Sequence, residues 1–208
     1  MPNENFVALC SRLYRDNKDA IEMILEYGKP KLTISSIQEF HSRTNTESIH
    51  AGKSTVTQFY AFLPKIWGGI VPETSLTPRK YLIAFGLDFS TYENHKIILN
   101  LYISDFADKE ERSQFVKLIE EAAAANPDSK VSIKGKTIKS TELFVKTISL
   151  TDEISGEFYL DDYDLVVDKL VEAYNSPDTQ KALQVVDDVV QKFWGGKDTE
   201  EKGGESDV

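Results

Sequence analysis

Apolar residues recur at every second position in two neighbouring stretches, and this alternation is the clearest structural signal in the chain. Between Lys80 and Phe89 the positions Tyr81, Ile83, Phe85 and Leu87 share one face; between Lys96 and Ser104, Ile97, Leu99, Leu101 and Ile103 do the same. A period of two belongs to a strand. The short polar link from Ser90 to His95 makes the pair a hairpin over 80–104. Two further strands are predicted near 130–134 and 142–150, joined through Gly135. Thr55 to Leu63 is β-branched and then aromatic, which suits a strand or a short helix, and Pro64 ends it in either case.

Other segments change to helical spacing. Phe6, Leu9, Cys10, Leu13, Ala20, Ile21, Ile24 and Leu25 predict a helix over 4–27, with a break at Asp16-Asn17 and a stop at Gly28 and Pro30. A shorter helix starts at Ser35 or Ser36 and carries Ile37, Phe40 and His41. Residues 44–54 read as loop, and Trp67 to Pro78 as an irregular connection. Asp108 with Glu111 forms a capping box for a helix to about Ala125, which Asn126-Pro127-Asp128 stops. Over 160–174, Leu165, Val166, Leu170, Val171 and Tyr174 lie on one side, and Asp161, Asp164, Asp168 and Glu172 on the other. Ser176 caps the last helix, Pro177 starts it, and Ala182, Val186, Val189 and Phe193 form its apolar stripe. Helices, then strands with one interposed helix, then helices predict an α+β fold with a largely antiparallel sheet. The domain is assigned to 1–194, and the Gly- and charge-rich residues 195–208 to a disordered tail.

Composition narrows the function. At 40% hydrophobic and 28% charged residues over 208 positions, the chain is an ordinary globular one. No apolar run reaches the roughly 18–20 residues of a membrane span. The first residues, Met1 to Asn5, lack the basic start of a secretory signal, so a cytoplasmic protein without membrane contact is expected. A single cysteine, Cys10, excludes an intrachain disulfide and a Cys-based zinc site. The net charge of -10 is unevenly spread: residues 1–146 hold 19 Lys+Arg and 18 Asp+Glu, whereas 147–208 hold 5 and 16. Such asymmetry points to a partner or to a solvated acidic face.

Candidate chemistry thins out when each motif is checked. Gly52-Lys53-Ser54 ends like a phosphate-binding P-loop, yet the position of the first glycine is Glu47, a carboxylate where phosphate would sit. His41, His50 and His95 are scattered, and Cys10 lies on an apolar helix face, so neither a metal pair nor an activated nucleophile emerges. No cofactor is expected. Two charged surfaces remain. Lys130, Lys134, Lys136 and Lys139, interleaved with Ser and Thr, form the best candidate for nucleic-acid contact, or else guard an edge hairpin against sheet-to-sheet association. Asp161, Asp164, Asp168 and Glu172 form an acidic face suited to a protein partner.

The layout from Lys80 to about Val190 resembles the C-terminal accessory region of some PD-(D/E)XK nuclease-family proteins. The resemblance is carried by Tyr81-Leu82-Ile83-Ala84-Phe85, by Ile97 to Ile103, by Glu111-Arg112 and by Tyr159 to Asp164. It implies a nucleic-acid-processing or defence setting. The family's catalytic acid-x-Lys is not intact: Glu142 stands four residues from Lys146, so no catalytic residue is carried over. The leading expectation is therefore a non-enzymatic interaction or accessory module with a protein partner. The alternative is a divergent metal-dependent nuclease, with Asp88 and Glu142 among its carboxylates, or a nucleic-acid-binding protein.

Overall fold

The computed structural model describes residues 12–15, 17–18, 34–48, 59–74, 81–89, 96–137, 140–150 and 163–195. In chain order they form helix α1 (Ile34–Thr44), strands β1 (Thr46–Ser48) and β2 (Phe59–Pro64), and a 3-10 turn at Lys65–Trp67. Strands β3 (Ile83–Asp88) and β4 (Lys96–Ile103), helix α2 (Lys109–Ala125) and a second 3-10 turn at Pro127–Ser129 follow. Strands β5 (Lys134–Thr137) and β6 (Ser140–Ser149) precede helices α3 (Tyr163–Asn175) and α4 (Pro177–Phe193). The strands make one antiparallel sheet in the order β1-β2-β3-β4-β6-β5, so the fold is α+β as expected.

The two apolar faces read from the sequence coincide in the sheet. One rung runs Phe62, Phe85, Leu101 and Phe144 across β2, β3, β4 and β6, all of them buried. Helices cover this face. Phe40 of α1 meets Phe62 edge-on at 5.2 Å between ring centroids, and Tyr174 of α3 meets Phe85 at 5.5 Å. Trp67 stacks on Phe85 at 6.1 Å, and its indole N–H donates to Asp187 of α4 at 2.9 Å. A buried indole needs such an acceptor. A second aromatic group ties α2 to the end of α4, where Phe115 stacks on Trp194 at 4.6 Å. On the opposite face Gly86 leaves room for the Phe59 ring and the Asn100 amide oxygen, which a Cβ there would force to shift.

Several boundaries differ from the expectation for local reasons. Asp108 does cap α2, accepting from the N–H groups of Glu110 at 2.7 Å and Glu111 at 3.3 Å. The strand expected near 130–134 begins only at Lys134. Pro127 opens a 3-10 turn that ends with Lys130 in the left-handed region, φ 58°, and this displaces Lys130 from the strand. Residues 44–54, expected as loop, contain the three-residue β1, too short to show a period. Asn45 reverses the chain between α1 and β1 at φ 52°, a conformation asparagine tolerates well. Within 55–63, the described part is strand, fixed by the pairing of Tyr60 with Leu87 and Phe62 with Phe85. Residues 12–15 are helical; the rest of the helix expected over 4–27, apart from 17–18, lies outside the described residues. So do Cys10, Lys53 and residues 196–208.

Candidate functional site

Three of the four lysines of the basic cluster fall among the described residues. Lys130 precedes the β5–β6 hairpin and donates to Asp178 of α4 at 2.6 Å. That ammonium holds the Asp178 carboxyl below the usual carboxylate range. Lys181 of α4 reaches back to Asp128 in the same way, so crossed ion pairs tie α4 to the turn after α2. Lys134 and Lys136 belong to β5, the edge strand, while Lys139 lies outside the described residues.

The acidic face is more regular. Asp164, Asp168 and Glu172 stand one turn apart along α3 and are exposed, while Val166, Val167, Leu170 and Val171 of the same helix are buried. Arg43 of α1 donates to Asp168 at 2.6 Å and to Glu39 at 3.0 Å, and Lys169 lies 3.7 Å from Glu172. Asp161 lies outside the described residues.

A polar chain at the junction of α1, β1 and β2 escaped the sequence reading. Each hydroxyl has one proton to give, and this fixes the direction of every bond in the chain. The Thr44 hydroxyl donates to the Phe40 carbonyl at 2.7 Å, so Thr46, 2.7 Å from Thr44, is the donor of that pair. Thr46 must then accept from His41 Nδ1 at 2.7 Å. The imidazole therefore carries its proton on Nδ1, and Nε2 accepts from the Tyr60 hydroxyl at 2.5 Å. Ser48 donates to the Tyr60 oxygen. Burial, assisted by the nearby Lys65 charge, lowers the His41 pKa from 6.5 to about 4, and burial pushes the Tyr60 phenol up to about 12. Both groups are neutral at pH 7 and fully engaged, so the chain ties α1 to the sheet. Its signal in the sequence was the recurrence of polar residues at 41, 44 and 46 beside the apolar face of a short helix.

Asp88 and Glu142 do not form a joint site. Asp88 is level with Ile98 of β4, whereas Glu142 is level with Tyr102 and lies one strand beyond. Four residues along and two strands across separate them by about 13 Å and about 10 Å. One metal ion cannot bridge that span, and among the described residues no group of three His, Cys, Asp or Glu is placed to hold one. No helix of the described residues is long and apolar enough to cross a membrane. Comparison with protein-family models, with curated proteins and with solved structures finds no match in any of the three. The resemblance to PD-(D/E)XK accessory regions thus rests on its residue pattern alone.

Proposed function

We propose that this chain is a cytoplasmic, non-enzymatic interaction module, and that the outer face of α3 docks a basic segment of a protein partner. One observation carries the reading: Asp164, Asp168 and Glu172 repeat one turn apart on the exposed face of a helix whose other side is buried. Over eight residues they cover about 12 Å. Like charges at this spacing cost a helix a few tenths of a kcal/mol per pair. Arg43 supports the same reading from within the chain, since its guanidinium already sits against Asp168 and Glu39. A partner's arginine or lysine would meet the same chemistry further along the ridge.

The test is a pull-down with the tagged chain and with a variant carrying Asp164→Asn, Asp168→Asn and Glu172→Gln. The expected result is a stoichiometric protein partner that survives nuclease treatment, is released by salt and is lost in the triple variant. Capture that ignores the three substitutions overturns the proposal. A nucleic-acid role is the second reading, favoured by the position of Lys134 and Lys136 on an edge strand. It predicts that changing Lys130, Lys134, Lys136 and Lys139 to Ser flattens the dependence of log K on log salt. Unchanged binding in that variant removes it.

A further inference from the structure

Successive residues of β6 alternate between the two faces of the sheet, and Lys146 falls on the face that the helices cover. Phe144 and Ile148, its neighbours on that face, are 3% and 5% exposed, and its cross-strand partner Leu99 is fully buried. A lysine in such a row needs a counter-charge or a route to solvent. Its ammonium donates to the Ser176 hydroxyl at 2.6 Å, and among the described residues no carboxylate lies within 4 Å of it. Ser176 is a neutral hydroxyl and supplies no negative charge; its own proton goes to the Ala173 carbonyl at 2.8 Å. Nor does Ser176 cap α4: although it is the N-cap residue, its side chain bonds none of the N–H groups of the first turn.

These groups open on a cleft of about 190 Å³ between β6 and the α3–α4 turn, with Ile148, Ser149, Lys169 and Glu172 completing its wall. Lys169 brings a second ammonium whose side chain is 30% exposed, whereas the Glu172 side chain is 76% exposed and sits at the rim. Among the described lining residues, two lysines stand against one carboxylate. The cleft is smaller than the roughly 300–1,000 Å³ of pockets for drug-sized ligands. It fits an ionic head group rather than a whole nucleotide.

We propose that this cleft binds a small phosphate-bearing anion, either inorganic phosphate or the phosphate of a small phosphomonoester, held by Lys146 and Lys169. Two ammoniums contributed by β6 and α3 can approach a tetrahedral dianion from different sides, while the Ser176 hydroxyl, whose proton is given to Ala173, orients the Lys146 ammonium. The uncapped start of α4 adds the positive end of its dipole to the same wall. Among the described residues, the carboxylates of Glu172 at the rim and of Asp178, which feels the Lys146 charge, oppose binding. The site shares Glu172 with the acidic ridge but does not rest on the docking role of α3, and Asp168→Asn, outside the cleft, separates the two.

Titration of the full chain with inorganic phosphate and with glycerol phosphate, at ionic strength matched with chloride and followed by amide NMR, tests this. Saturable shifts at the Ala173, Ser176 and Asp178 amides are expected. Lys146→Met should weaken binding at least about tenfold, Glu172→Gln should tighten it several-fold, and Lys192→Met, an exposed lysine of α4, should leave it unchanged. Tighter binding of glycerol phosphate identifies a phosphomonoester site; equal or weaker binding identifies a site for the free ion. Equal shifts with chloride alone overturn the proposal, as does wild-type affinity in Lys146→Met. If Lys146→Met does not fold, Lys169→Met carries the same expectation, and unchanged binding there overturns it too.

Discussion

The helix layer meets the sheet through polar side chains at two places, and the two are finished in opposite ways. Where α1 crosses β1 and β2, His41 is spent on both sides: Nδ1–H on Thr46, Nε2 on Tyr60. Every proton in that chain has an acceptor, down to the Phe40 carbonyl. Where α3 and α4 approach β6, Lys146 has one hydroxyl partner and, among the described residues, no carboxylate within 4 Å, so that only the more distant Asp178 carboxylate offsets its charge. Both residues interrupt an apolar surface. A polar group whose hydrogen bonds close within the fold is accounted for by the fold, whereas the Lys146 ammonium, with no contacting carboxylate among the described residues, is the group that the proposed phosphate site uses.

The largest effect that separates the two regions is a change in stability. His41→Leu leaves the Tyr60 hydroxyl without its acceptor and takes the donor from buried Thr46, so a loss of about 2–4 kcal/mol is expected by urea unfolding. A loss below about 1 kcal/mol would show that the chain of bonds is not structural. The same region sets a pH dependence. His41 binds a proton at 6.5 when unfolded and at about 4 when folded, so the unfolded state takes up more protons between those values. Stability is complete above pH 6.5 and falls as the pH drops toward 4. The shift corresponds to about 2 kcal/mol once the ring's residual solvent contact is allowed for. In His41→Leu this slope between pH 6.5 and 4 should disappear, leaving only the carboxylate titrations at lower pH.

Lys146 should behave in the reverse sense. Replacing a half-buried charge with an apolar side chain of similar length removes a desolvation cost along with one hydrogen bond. Lys146→Met is expected to change stability by less than about 1 kcal/mol, in either direction, while weakening phosphate binding at least about tenfold. A loss as large as that of His41→Leu would make Lys146 a structural lysine and erase the contrast.

How much of this was legible in the sequence depends on how far each feature reaches along the chain. The rung through Phe85 and Leu101 was legible, because eight alternating residues repeat the same statement and the inner face of β4 has no exceptions. The cap at Asp108 and the start of α4 at Pro177 were legible from two or three adjacent residues. β1 was not, because three residues hold no period and the strand exists only through its pairing with Phe62, Leu63 and Pro64. The acidic ridge was visible as helical spacing, but its neutralisation by Arg43 joins positions 125 residues apart, which no local pattern encodes. Lys146 was printed in the alternation Phe144-Lys146-Ile148 as the one charge on an inward row. It drew attention only as the missing half of a nuclease motif, because the direction of that row is settled by the sheet.

The smallest stability effect belongs to the ridge itself, and it sharpens the comparison most. Arg43 is exposed, and its pairs with Asp168 and Glu39 lie in water, where such contacts are weak and screened by salt. Arg43→Ala should therefore lower stability only slightly at low salt and not measurably at high salt. Binding should move the other way. Without Arg43, Asp168 and Glu39 are released to an incoming cation, and a basic partner gains a site that the chain itself had occupied. Affinity for that partner should rise several-fold in Arg43→Ala and fall in Asp168→Asn, while phosphate binding at the Lys146 cleft changes in neither. Weaker partner binding in Arg43→Ala would mean that Arg43 orders the ridge rather than competes for it. The docking surface would then be the α1–α3 pair, not the face of α3 alone.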